Sequence, residues 1–154
     1  MPVSRFRELS LPFIERAGIQ VADNAYLVEV LKIVQEKIKL LKDVPDWIGY
    51  FFTEDYEYDL EAVAKTFADP EVMSRLAELR ETYQSVPEWN PQTLESALKT
   101  LATSIPCKIR ELIHPARLAV SGRSVGPSLY HMLEVLGRER VRARLQRTIE
   151  RFSK

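Results

Sequence analysis

Gly122-Arg123-Ser124-Val125-Gly126 spells the G-x-S-x-G pattern of a nucleophile elbow. That chemistry needs a strand before the serine, a helix after it, and an acid and a histidine further along. Here the preceding residues repeat with helical period. Only His131 follows, seven positions on, with Glu134 as the nearest later acid. Order and spacing are wrong for a Ser-Asp-His triad, so the glycines are read as devices for a tight turn at a helix end. Two histidines (His114, His131) and one cysteine (Cys107) show no paired spacing for zinc. The acidic run Glu54, Asp55, Glu57, Asp59, Glu61 lacks the glycine and ligand spacing of a calcium loop, and reads as carboxylates near a helix N-terminus. No glycine-rich phosphate loop is present.

What remains is binding chemistry. Arg138, Arg140, Arg142, Arg144 and Arg147 crowd one predicted helix near the C-terminus, after a basic turn carrying Arg117 and Arg123. Arg140, Arg144, Arg147 and Arg151 fall at i, i+4, i+7 and i+11, one stripe of guanidinium groups suited to phosphate. Arg138 and Arg142 form a neighbouring pair. A solvated helix face, partly paired with Glu139 and Glu150, is the competing reading. The zero net charge of the 154 residues conceals an asymmetry. Residues 1–105 carry 11 Lys/Arg and 18 Asp/Glu, a balance of −7, whereas residues 106–154 carry 11 and 4, a balance of +7. A basic half is the electrostatic footprint of a polyanion ligand. Without a helix-turn-helix or zinc-finger signature, RNA with unpaired bases fits better than duplex DNA.

The elements that would position these residues are helical throughout. Leu27, Leu31, Val34, Ile38 and Leu41 mark one face of a long helix capped by Asp23 or Asn24. Asp69-Pro70 opens a second, with Val72, Leu76, Leu79 and Tyr83 inward; Asn90-Pro91 opens a third, with Leu94, Leu98 and Leu101 inward. A fourth follows Pro106 around Ile109, Ile113 and Leu118. A fifth begins at Pro127, with Leu129, Leu133 and Leu136 on one side, and ends at Gly137. The last turns Val141, Leu145, Ile149 and Phe152 inward, and an opening segment around Phe6, Leu9 and Phe13 is helical as well. No stretch alternates as a strand. The SVPEWNP segment at 85–91 suggests a boundary between subdomains 1–85 and 86–154. A chain of this size buries a core without disulfides; the lone Cys107 points to a reducing compartment, and no segment reads as a signal peptide or membrane span. The expected location is the cytoplasm, with no membrane partner.

Four segments then carry a family likeness: PFIERAGI at 12–19, LKDVPDWIGYFFTEDYEYD at 41–59, IHPARLAVSGRSVGPSLYHMLEVLG at 113–137 and ERVRARLQRTIE at 139–150. Together the chain resembles the C-terminal, anticodon-binding part of bacterial glutamyl-tRNA synthetase, a class I aminoacyl-tRNA synthetase. The resemblance implies an all-α fold of two small stacked helical bundles. It implies contacts to the tRNA anticodon loop at His114, Arg117, Gly126 and Leu129, with a basic contact at Lys99. Arg123, Arg138 and Arg142 are candidates for phosphate. Gly49 stands where some members carry an arginine that discriminates the first anticodon base. The resemblance therefore does not carry over strict discrimination between glutamate and glutamine tRNAs.

The same resemblance implies a tRNA partner, tRNA-Glu, with tRNA-Gln left open, and no DNA. The HIGH-like and KMSKS-like adenylate motifs are missing from this sequence, so no catalytic residue and no cofactor is expected in it. ATP and magnesium would bind a catalytic domain of the parent synthetase, of which this chain reads as a fragment. The alternatives are a synthetase-like tRNA-binding paralogue and a free-standing protein-interaction module using Trp47, Tyr50, Phe51 and Tyr56.

Overall fold

The computed structural model describes residues 1–153, and among them there are helices and turns but no strand. The chain divides into two compact units: the first takes Met1–Tyr56 together with Gly126–Ser128, the second Glu57–Val125 and the chain from Leu129 onward.

In the first unit, α1 (Val3–Arg16), α2 (Asn24–Val34) and α3 (Val44–Ile48) pack on one another. Asp23 caps α2 through its side-chain oxygen, which accepts from the Ala25 N–H at 2.9 Å. Phe6 and Ile14 of α1, Leu27, Val30, Leu31 and Val34 of α2, and Val44 and Ile48 of α3 form the core. The expected long helix through Leu41 stops at Val34. Short 3₁₀ turns follow at Gln35–Lys37 and Leu41–Asp43, leaving Ile38 and Leu41 half-buried. Val28, Val30, Ile33, Val34 and Ile38 are β-branched and weaken a helix there, and the chain must fold back for α3 to reach α1 and α2. Tyr50 and Phe51 are 3% and 0% exposed. Half of the aromatic surface expected for a protein-interaction module is thus core.

The second unit contains α4 (Leu60–Thr66), α5 (Val72–Gln84), α6 (Pro91–Ser104), α7 (Arg110–Ser121), α8 (Leu129–Leu136) and α9 (Arg138–Phe152). Asn90 caps α6 as expected and Asp59 caps α4, unanticipated from apolar spacing, but α5 starts at Val72 with Glu71 at its cap position, so Asp69 and Pro70 lie in the turn before it. Asp59 accepts from the Glu61 and Ala62 N–H groups, Asp69 from Glu71, and Asn90 from Thr93 at 2.8 Å. The predicted inward stripes of α5, α6 and α8 are all buried. α5 packs most extensively against α9 and also touches α6 and α7. For that reason the expected boundary at 85–91 is not where the chain divides. α5 shares the core of the helices that follow it, and the division falls between Tyr56 and Glu57. The C-terminal residue of the expected second subdomain, Lys154, lies outside the described residues.

α7 departs from expectation in its rotation. Leu112, Pro115, Ala116, Leu118, Ala119 and Val120 face inward, while Ile109 is 39% exposed and Ile113 half-buried. α9 departs more. Its buried face is Val141, Arg144, Leu145 and Thr148, because α5, α7 and α8 surround it on several sides. Ile149 and Phe152 are only half-buried, Phe152 meeting the rings of Tyr58 and Phe67.

Candidate nucleic-acid interface

α7 presents Arg110, His114 and Arg117 at i, i+4 and i+7, one face of a helix whose other side is locked in the core. The helix ends where Gly122 takes a left-handed conformation (φ 75°), its N–H reaching back to the Leu118 carbonyl at 2.7 Å. Only glycine adopts this geometry without penalty. The final carbonyls of any helix lack partners within it. Here three are satisfied from elsewhere in the unit. Arg144 Nη1 donates to the Val120 oxygen at 2.6 Å, and the Asp59 N–H to the Gly122 oxygen at 2.7 Å. Thr148 Oγ1 donates to the Ala119 oxygen at 3.4 Å while lying 2.9 Å from the Tyr58 hydroxyl. The Ser121 hydroxyl donates to the Arg117 carbonyl at 2.7 Å and accepts from the Arg123 N–H at 3.1 Å. The turn following α7 is therefore held at its base by buried hydrogen bonds. Arg144, fully buried, also places a positive charge against the negative end of the α7 dipole.

This recasts the arginine stripe of α9. Arg144 is 0% exposed, so it offers nothing to a phosphate and instead anchors α7. Arg138 is committed in the same way. Its guanidinium donates to the carbonyls of Gln84, the last residue of α5, and Val86, just beyond it, at 3.0 and 2.9 Å, and lies 5.3 Å from the centroid of the Trp89 ring. Trp89 in turn donates its indole N–H to the Leu133 carbonyl at 2.8 Å. Two arginines close two helix C-termini: the stripe loses Arg144, and the phosphate candidates lose Arg138. Arg142 is exposed and 3.4 Å from Glu139, a surface pair that constrains it little.

The other candidates divide similarly. Arg123 is exposed at the turn and makes no ion pair among the described residues. Lys99 projects from α6, paired with Glu95 at 3.4 Å with both side chains about half exposed. His114 is exposed, and Arg117 is half-buried. Gly126 lies in the segment that belongs to the first unit. Leu129 is 3% exposed, the first residue of the inward stripe of α8, so its side chain is closed to a base.

His114 stands at the edge of a groove of about 630 Å³ between α4 and α7. Lys65 and Arg110 also line it, and sequence reasoning passed over both. The available signal was Arg110 standing one helical turn before His114. Deeper in, Arg75 is 17% exposed on its side chain and pairs with Asp69 at 3.1 Å and Glu111 at 3.3 Å. The Glu71 N–H, helped by the Arg75 guanidinium, holds the Asp69 carboxyl below its usual range. No nucleophile is assembled: Ser124 follows a helix rather than a strand, and His131 is exposed on α8. Among the described residues, no three His, Cys, Asp or Glu side chains stand together to hold a metal. Among the described residues, no helix is long and apolar enough to cross a membrane.

A helix face carrying Arg110, His114 and Arg117 beside a braced, glycine-closed turn is an all-helical arrangement able to meet the phosphates and bases of an RNA loop. The chain belongs to the anticodon binding domain family, whose model matches residues 5–149. It is 37% identical over 150 residues to a glutamate–tRNA ligase of Moorella thermoacetica, covering 94% of this chain and 31% of that protein. It is also 37% identical over 146 residues to a glutamate–tRNA ligase of Elusimicrobium minutum, covering 94% and 30%. The fold matches a glutamate tRNA ligase crystal structure from Elizabethkingia meningosepticum with a TM-score of 0.83 at 20% identity, over 97% of this chain and 29% of that one. The chain thus spans about 30% of the length of the curated relatives it matches, the portion that corresponds to the anticodon-binding domain.

Proposed function

We propose that this domain reads the anticodon loop of a glutamate tRNA and orients that tRNA for glutamylation at a catalytic domain outside these residues. The observation that supports the reading best is the α7 face, where Arg110, His114 and Arg117 lead into a turn braced from below by Arg144, Thr148 and Asp59. Recognition of a loop requires donors that are fixed before the RNA arrives, since ordering them on binding costs affinity. Arg117 offers the forked geometry that meets a guanine edge or a phosphate, and His114 can donate, accept or stack. At the turn itself the backbone and Arg123 remain to meet RNA, because Leu129 is closed. Arg142 and Lys99 sit where only weak surface pairs hold them and serve as phosphate contacts.

The domain performs no bond chemistry in this account; ATP and magnesium belong with the catalytic domain. The test is binding of the chain to tRNA-Glu and to a non-cognate tRNA at two salt concentrations, for wild type and Arg117→Ala. Selective binding that weakens as salt rises, with a slope of about 0.7 per phosphate contacted on single-stranded RNA, and that is lost in the variant, is the expected result. Weak binding with no preference and no effect of Arg117 would overturn it.

A further inference from the structure

We propose that the α4–α7 groove receives one unpaired ribonucleotide of the bound loop, adjacent to the nucleotide met by Arg117. This rests on the anticodon-loop reading above and extends the α7 face, through the Arg110 and His114 that it shares with the groove, to a further nucleotide. The groove's volume, about 630 Å³, falls within the roughly 300–1,000 Å³ usual for small-ligand sites. Its apolar base is formed by Val72, Pro115 and Leu118.

The charges around it are unequal in what they can offer. Three of its carboxylates already have partners inside the protein: Asp59 accepts from the N–H groups that begin α4, and Asp69 and Glu111 pair with Arg75. Lys65 and Arg110 are exposed and make no ion pair among the described residues, and Glu61 is the remaining exposed acid. With Arg75 pairing Asp69 and Glu111, the exposed cations Lys65 and Arg110 stand against Glu61 and the helix-capping Asp59, so the groove offers cationic side chains for a phosphate without a net positive charge. Around the apolar base stand a guanidinium plane and an imidazole, both able to stack on a base. An ammonium for phosphate and the Ser124 hydroxyl for a base or ribose edge complete the set. That combination suits a single nucleotide better than a peptide or an inorganic ion, because it pairs a stacking surface with one anionic contact.

The full chain, isotopically labelled, would be titrated with CMP, UMP, AMP and GMP, each alone, and followed by two-dimensional NMR. Saturable shifts are expected at Lys65, Arg110, His114 and Ser124. They should weaken by about ten-fold or more in Lys65→Ala/Arg110→Ala, as expected when a phosphate contact and a stacking plane are both removed. Both side chains are exposed, so thermal stability should not change. Arg117→Ala should leave mononucleotide binding intact. In parallel, the double variant should bind an anticodon stem-loop about ten-fold more weakly than wild type. Absence of saturable shifts, or a double variant that binds both mononucleotide and stem-loop like wild type, overturns the groove assignment while leaving the proposed function standing. Mononucleotides that fill the groove of a chain that ignores the stem-loop would support the groove as a nucleotide site and overturn the anticodon reading instead.

Discussion

Replacing Arg144 with alanine separates a bracing role from a phosphate-binding one. The guanidinium is fully buried and donates to the Val120 carbonyl at 2.6 Å. Truncation removes a charge-assisted hydrogen bond worth about 1.5–3 kcal/mol and leaves that carbonyl without its donor. It also empties the volume of a long side chain among Val141, Leu145 and the inner face of α7, which adds a cavity term. Relief of the desolvated charge works in the opposite direction. Truncating so large a fully buried side chain to alanine still costs about 3–5 kcal/mol net. At about 2–4 °C per kcal/mol for a chain of this size, the unfolding midpoint should fall by about 6–20 °C. Arg142→Ala, which removes an exposed cation beside Glu139, should change stability by no more than about 0.5 kcal/mol. Thermal unfolding by circular dichroism measures both, and hydrogen exchange at Gly122 and Arg123 should accelerate only in the Arg144 variant. An Arg144→Ala protein with a wild-type midpoint and selectively weakened RNA binding would refute the reasoning.

Other positions give independent checks. Gly122→Ala forces a side chain into the left-handed conformation at φ 75° and should cost about 1–2 kcal/mol, read from urea midpoints. Tyr83 is 2% exposed and donates to the Leu94 carbonyl; burial, with Tyr130 nearby, pushes its phenol above its ordinary 10.0. Its folded-state pKa is raised, so the stabilisation is fully present below pH 10.0 and drains away above it, as the unfolded chain ionises first. Urea midpoints on either side of that pH should show the loss, and Tyr83→Phe should flatten it. Gly49 has a helical φ of −52° and open space where a Cβ would stand. Gly49→Arg should therefore fold with an unchanged midpoint, and should sharpen discrimination between glutamate and glutamine tRNAs in a competition assay.

Helix positions and caps were legible because they are local. Asp23 and Asn90 announce the starts of α2 and α6, Asp69-Pro70 marks the turn before α5, and Gly122 and Gly137 mark turns with positive φ, whereas the short α4 was not anticipated from apolar spacing. The inward stripes of α5, α6 and α8 follow from spacing alone. The surroundings of an element were not legible in the same way. Periodicity around α9 shows four arginines on one stripe. Whether that stripe meets water or the end of another helix depends on α5, α7 and α8 packing around it. Arg144 stands beside Leu145 and three residues after Val141, within a face that tertiary packing widened. Arg138 likewise reaches carbonyls at Gln84 and Val86, 54 and 52 residues earlier in the chain. The division at Tyr56 was hidden because SVPEWNP carries stronger turn signals than the sequence around Tyr56. Turn residues mark where a chain bends, not where one core stops and another begins. The groove beside His114 belongs to two helices about fifty residues apart in sequence, and no spacing rule connects Lys65 with Arg110.

The most direct test of anticodon recognition is a transplant. The anticodon loop of tRNA-Glu would be moved into a non-cognate tRNA body, and binding of this chain measured for the chimera, both parents and the Arg117→Ala variant at one fixed salt concentration. The chimera should bind like tRNA-Glu, and the variant should bind chimera and parents alike. A chimera that binds no better than its non-cognate body, in a chain that still prefers tRNA-Glu, would contradict the assignment by placing recognition outside the loop.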